Sequence, residues 1–279
     1  MISSDQITGL ILAGGRAQRM GGIDKGLIPF LGKPLIESAI MRLKHQVGPI
    51  LINANRNITK YAIHGHPVIM DETPDFSGPL AGFSAGFKAC NTPYMLTTPC
   101  DSPLLPKDLG SRLAAEMVRG DFELVYASSK EADGKVWAQP VFCLMRTNLN
   151  ESLETFLQKG DLKIDRWFKE LKSGTVVFDD TQAFANVNTP EELKALEEVT
   201  APKTEAEKYS EELDQTKASN PEDYWSVSPV SAEDAAKGTI IDTPDGAAIV
   251  KPDGDIAGLF KKATSKAKGV AQDLLKRAI

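Results

Sequence analysis

The stretch LILAGGRAQRMGGIDKG, residues 10–26, gathers the groups that hold a triphosphate. An apolar run leads straight into Gly14 and Gly15, and Arg19 and Lys25 follow. Glycine tolerates positive φ and lets the backbone approach a ligand closely, so successive N–H groups of such a turn converge on phosphate oxygens. Arg19 and Lys25 then supply cationic charge. The pattern is neither the GxxxxGK[ST] loop nor the GxGxxG fingerprint. A plain glycine turn is the bland alternative, and the ordered set of strand, two glycines, arginine and lysine weighs against it.

Other polar residues stand where apolar runs end. Asp101 closes Tyr94-Met-Leu-Thr-Thr-Pro-Cys, so a strand delivers its carboxylate to the carboxyl edge of a sheet, where ligands of open α/β folds bind. One carboxylate plus substrate phosphates is a common magnesium shell. Asp-Ser-Pro is also good turn chemistry, and position alone leaves the two readings even. Asp71 follows His66-Pro-Val-Ile-Met, and Asn53 ends another run. Asn186 and Asn188 flank Val187, so extended backbone points both to one face, although a pair of asparagines before a capped helix is equally plain turn chemistry. Backbone N–H and C=O groups near Gly14 and across Gly78 to Gly82 are candidates for contacts to a bound ligand. His64 and His66 lack neighbours at metal spacing and read as a surface loop. Trp137, Trp167 and Phe168 read as packing, and Cys100 has no histidine placed to activate it.

The elements that must position these residues alternate. Strands are expected at Ile7–Leu12, Ile50–Asn53, Pro67–Met70, Tyr94–Thr98, Leu124–Ala127, Val136–Met145 and Thr175–Phe178, with helices between them. That order predicts an α/β, Rossmann-like, mostly parallel sheet with helices on both faces. Leu35, Ile36, Ala39, Ile40, Leu43 and Val47 form one helical stripe, Pro106 to Val118 another, and Thr189-Pro-Glu-Glu192 is a capping box that opens a third helix near Pro190. The first domain is expected to span 1–199. Residues 200–228 are polar and mostly acidic, as in a linker, and 229–279 read as a small β-plus-helix appendage of unknown role. In that appendage two Pro-Asp-Gly turns separate short strands, and a basic amphipathic helix follows from Lys261 to Ile279.

A net charge of −6 and a pI near 5.3 argue against a nucleic-acid surface, which concentrates Lys and Arg. Three cysteines without paired spacing suit a reducing compartment. With no secretory leader pattern and no bilayer-length apolar run, the expected location is the cytoplasm, without membrane contact.

The glycine loop, together with Asn53-Ala-Asn55, GPLAG at Gly78 to Gly82, Pro99-Cys-Asp101 and NVNTPEEL at Asn186 to Leu193, resembles the molybdenum cofactor guanylyltransferases. The resemblance runs from about Ile7 to Glu198 and leaves out the tail. It implies the nucleotide-diphospho-sugar transferase-like form of the fold and transfer of GMP from GTP to the phosphate of molybdenum-molybdopterin, with release of pyrophosphate. It also implies that Lys25, Arg19 and Asp101 act in catalysis and that Asp101 holds Mg2+. Leu12, Ala13, Gly14, Gly15, Asn53, Asp71, Gly78 and Gly82 would bind the nucleotide, and Asn186 and Asn188 the acceptor side. Leu-Ala-Gly-Gly at 12–15 is the guanine form of a motif that reads Leu-Ala-Ala-Gly in cytosine enzymes. Molybdoenzymes or cofactor-insertion proteins are the implied protein partners. Two rivals use the same residues: a nucleotidyltransferase for another small phosphate, such as a sugar phosphate, or for cytidylyl transfer, and a silent cofactor-delivery adaptor.

Overall fold

The first apolar run, Ile7–Leu12, is buried along nearly its whole length, as a strand covered on both faces must be. In the computed structural model, which describes residues 1–13, 24–72, 78–201, 239–243, 246–250 and 256–261, it forms β1 at the middle of a sheet. The chain divides into two units, 1–200 and 201–279.

In the first unit, β1 is followed by the hairpin β2 (Pro29–Phe30) and β3 (Lys33–Pro34), α1 (Leu35–Leu43), β4 (Ile50–Asn53), α2 (Ile58–Ala62) and β5 (Val68–Ile69). Then come α3 (Pro79–Ala89), β6 (Tyr94–Pro99), α4 (Leu109–Gly120), β7 (Leu124–Lys130), β8 (Val136–Arg146), α5 (Asn150–Gln158), α6 (Ile164–Lys169), β9 (Ser173–Phe178) and α7 (Pro190–Thr200). Seven strands lie in the order β5-β4-β1-β6-β8-β7-β9, with β8 alone antiparallel to its neighbours. The mostly parallel α/β sheet expected from the alternation is thus observed.

Period-2 alternation sends β1 side chains to two separate cores. Ile7 and Ile11 join Ile36, Ala39 and Leu43 of α1 and Leu109, Leu113 and Met117 of α4 on one face. Leu10 joins Leu80, Phe83 and Phe87 of α3, Leu153 and Phe156 of α5 and Trp167 of α6 on the other. Helices therefore cover both faces. Trp137 corrects one expectation, because it is 46% exposed on β8 with Lys135 Nζ 3.8 Å from its ring, while Trp167 and Phe168 are core as expected. His64 also lies deeper than a surface loop implies: its side chain is 8% exposed, with Nδ1 3.6 Å from Glu37.

Successive strands step from β1 to β4 on one side and to β6 on the other, so the order reverses at β1, and in open α/β sheets such a switch point is where a crevice at the carboxyl ends takes ligands. Leu12 pairs with both Asn53 and Pro99. The Ala13 N–H donates to Asn53 O (2.8 Å) and the Cys100 N–H to Leu12 O (3.0 Å), which locks the three strand ends together.

In the second unit, β10 (Thr239–Thr243), β11 (Gly246–Val250) and β12 (Ile256–Lys261) form an antiparallel meander. Lys261, expected to open a helix, ends β12 instead. The expected helix beyond it and the linker beyond Ala201 lie outside the described residues. Among the described residues no helix is long and apolar enough to cross a membrane.

Candidate active site

Lys25 opens a short 3-10 turn, Lys25–Leu27, which directs its side chain across the end of β1. Its ammonium lies 2.8 Å from Asp101 Oδ2, just past β6, and 2.6 Å from Asn188 Oδ1, just before α7. Three residues far apart in sequence therefore meet at one point. The Asp101 main chain is fixed as well, since its carbonyl accepts from Val187 N–H (2.9 Å). Val187 is buried in a small apolar cluster with Ile28, Phe30, Leu35 and Leu196. That burial turns both flanking asparagines toward the crevice: Asn188 reaches Lys25, and Asn186 Oδ1 accepts from the buried Ser102 Oγ (2.5 Å).

A second group forms at the ends of β4 and β5. Asn53, buried, donates through Nδ2 to Asp71 Oδ1 (2.8 Å). Asn55 Nδ2 donates to Asp71 Oδ2 (2.7 Å), and Asn55 Oδ1 accepts from the Asp71 N–H (2.9 Å). Asp71 is thereby held at both oxygens and at its backbone. Asn55 had a legible signal, because two asparagines one residue apart on extended backbone share a face. Gly82 packs on this group from α3: a Cβ there would lie 2.6 Å from Asn53 Oδ1 and 2.6 Å from Leu12 Cδ2. Gly78 precedes α3 with φ +147, a conformation that side-chain-bearing residues rarely adopt. Asn53 and Pro99 flank Leu12 on either side, so the two groups stand roughly 10 Å apart, two strand spacings, along one edge.

Gly14, Gly15 and Arg19 lie outside the described residues. Leu12, Ala13, Lys25, Asn53, Asp71, Gly78, Gly82, Asp101, Asn186 and Asn188 are placed at this edge or at the helix ends that meet it. Cys100 is not a nucleophile here: it is buried, and burial first, with the charges of Asp101 and Asp24 second, pushes its thiol well above the ordinary range. Among the described residues no group of three or more His, Cys, Asp or Glu side chains could cage a metal. Beside Lys25 the described residues offer one hard carboxylate, Asp101, with the amide oxygen of Asn188, while Asp71 further along the edge is held by Asn53 and Asn55. That donor set suits a magnesium ion whose remaining ligands are phosphate oxygens and water.

A mostly parallel sheet whose order reverses at β1, with a lysine and an aspartate paired beside its carboxyl edge, is the architecture of a nucleotidyltransferase fold. Consistently, the model of the MobA-like NTP transferase domain matches residues 9–175. The molybdenum cofactor guanylyltransferase of Polynucleobacter asymbioticus is 81% identical over 197 residues, covering 71% of this chain and 98% of that relative. The one from Bordetella pertussis is 51% identical over 197 residues, covering 71% of this chain and all of the relative (100%). The chain belongs to the molybdenum cofactor guanylyltransferase family. Solved structures agree on the fold. The molybdopterin-guanine dinucleotide biosynthesis protein A of Archaeoglobus fulgidus superposes with a TM-score of 0.56 at 20% identity, over 69% of this chain and 97% of that one. CMP:2-keto-3-deoxy-manno-octonic acid synthetase gives 0.58 at 13% identity, over 71% of this chain and 99% of that one.

Proposed function

We propose that the chain transfers GMP from GTP to the terminal phosphate of molybdenum-bearing molybdopterin, releasing pyrophosphate and leaving the guanine dinucleotide form of the cofactor. The observation that carries this reading is the meeting of Lys25, Asp101 and Asn188 within one hydrogen-bond shell. An anionic phosphate is already a nucleophile near neutral pH, so attack on the α-phosphorus needs no general base. The chain's task is to hold two mutually repelling anions in line and to receive the charge that gathers on the leaving pyrophosphate. Lys25 and Arg19, with the amides of Gly14 and Gly15, serve that end of the nucleotide. Asp101 would hold magnesium, which supplies further positive charge to the phosphates.

Asn53 and Asp71 serve the guanosine end. Each Asp71 oxygen accepts one bond from an asparagine and keeps lone pairs for the nucleoside. The first turn of α3 after Gly78 adds backbone donors without an intrahelical partner. Asn186 and Asn188 face the acceptor, and Asn188 shares the Lys25 ammonium, so acceptor and donor sides meet at one cation. Three free cysteines suit a reducing cytoplasm, and the product passes to molybdoenzymes or cofactor-insertion proteins.

The test follows pyrophosphate from the purified full chain with magnesium, molybdenum-loaded molybdopterin and each nucleoside triphosphate in turn, then with sugar phosphates as acceptors. Release with GTP and molybdopterin is expected. Equal release with CTP or with a sugar phosphate overturns the substrate assignment, and GTP binding without turnover on any acceptor favours the adaptor rival. Lys25→Ala should lower turnover about 10²- to 10³-fold, the scale of one lost transition-state donor. Asp101→Ala should abolish the magnesium response.

A further inference from the structure

Immediately before Lys25 the chain buries a charge. Asp24 is 5% exposed, and its carboxylate accepts hydrogen bonds from Tyr61 Oη (2.5 Å) and Asn57 Nδ2 (3.2 Å), both from the segment around α2. A carboxylate taken out of water is costly unless donors satisfy it, and among the described residues Tyr61 and Asn57 donate to it from 37 and 33 residues away. The backbone is shaped for the contact on both sides. Asn57 sits in the left-handed region (φ 50, ψ 32) as it enters α2. Gly26 leaves the space that the fully buried Tyr61 fills, since a Cβ there would lie 2.5 Å from Tyr61 Oη and 3.2 Å from Cys100 Sγ. Tyr61 thus wedges between the turn that carries Lys25 and the β6 exit that carries Asp101.

Asp24 and Lys25 are coupled through the main chain. The Leu27 N–H donates to Asp24 O (3.0 Å) and the Ile28 N–H to Lys25 O (3.1 Å), so the turn that aims Lys25 starts at the anchored aspartate. Tyr61 is a permanent donor: burial above all, then the neighbouring Cys100 and its bond to Asp24, push its hydroxyl far above the ordinary tyrosine value.

We infer that Tyr61 and Asp24 are a buried positioning pair, which holds the Lys25 ammonium against Asp101 and Asn188 and thereby sets its grip on the GTP triphosphate. Neither residue touches substrate. The inference rests on the reading of Lys25 as the phosphate cation.

The experiment compares Tyr61→Phe, Asp24→Asn, Lys25→Ala and a core control, Phe87→Leu, in the full chain. kcat/KM for GTP and KM for molybdopterin are measured well below each variant's unfolding midpoint, with the folded fraction checked by circular dichroism. Tyr61→Phe and Asp24→Asn should each lower kcat/KM for GTP by about 10- to 100-fold, the scale of one hydrogen bond to a charged group, with a smaller change in KM for molybdopterin, which meets Lys25 only through Asn188. Phe87→Leu, in the opposite core, should stay within about twofold even where its midpoint falls as far. If Tyr61→Phe does not fold, Asp24→Asn decides. A Tyr61→Phe or Asp24→Asn variant within twofold of the parent, beside an inactive Lys25→Ala, overturns the positioning pair and leaves the site reading intact. A Lys25→Ala variant with parental turnover overturns the site reading itself.

Discussion

Asn53 is gripped from two directions, by Asp71 in the crevice and by the bare Cα of Gly82 behind it. Gly82→Ala is favoured by helix propensity, by about 1 kcal/mol, so α3 itself should tolerate it. Its methyl group, however, must displace the Asn53 carboxamide. The expected result is an intact fold and a KM for GTP raised about tenfold, the worth of one polar contact at 1.4 kcal/mol per decade; calorimetric GTP affinity equal to the parent's would refute it. The thiols give a second check. Burial pushes Cys143 from 9.0 up to about 12, and Cys100 is buried too, whereas Cys90 is only half-buried. Iodoacetamide near neutral pH should therefore modify Cys90 first and the other two only on unfolding, as read by peptide mass spectrometry. Because the Cys143 value is raised on folding, its contribution to stability is complete below about pH 9 and is lost as pH climbs toward 12. Lys25 was legible because a glycine turn after a buried strand announces itself locally, whereas the strand end that carries Asp101 left turn and site readings even until the family motif decided between them. The Asn186–Asn188 pair was legible by its spacing, but not its partner: Asn188 meets Lys25 across 163 residues, and Tyr61 meets Asp24 across 37, distances over which a single sequence carries no signal.

α7 shows how an element carries a site residue. Thr189 Oγ1 accepts from the Glu192 N–H (3.1 Å), and Glu192 Oε2 accepts in return from the Thr189 N–H (3.2 Å) and from the Asn188 N–H (2.7 Å). The capping box read from Thr189-Pro-Glu-Glu192 therefore also fixes the backbone of Asn188. Glu192→Ala should cost about 1 kcal/mol of stability and raise KM for molybdopterin more than KM for GTP; thermal melts and paired KM measurements check both, and equal shifts in the two constants would refute the link. The seven strands were readable because buried runs and alternation survive in the sequence. α3 was not assigned, because Leu80, Ala81, Gly82, Phe83, Ala85, Gly86 and Phe87 are all buried and leave little amphipathic contrast. α1 stops at Leu43 rather than reaching Val47, which is buried after a turn and so mimics a longer helical stripe.

At the scale of the whole chain, the guanylyltransferase relatives align over 71% of the sequence and nearly their full length, which leaves a remainder about the size of the second unit. We expect a chain ending at Ala201 to release pyrophosphate within about twofold of the full-length rate, and a loss beyond tenfold would give the tail a part in turnover. The sheet also dictates an order of assembly. β1 precedes both of its partners in the chain: it is paired on one side by β4 and on the other by β6, whose last residue is Pro99. At roughly 5–20 residues per second, the nascent chain carries an unzipped apolar ribbon for on the order of ten seconds before its second edge is met. Translation therefore delivers this interior strand before the partners that cover its edges, and the growing polypeptide carries an unpaired edge of the kind that promotes aggregation.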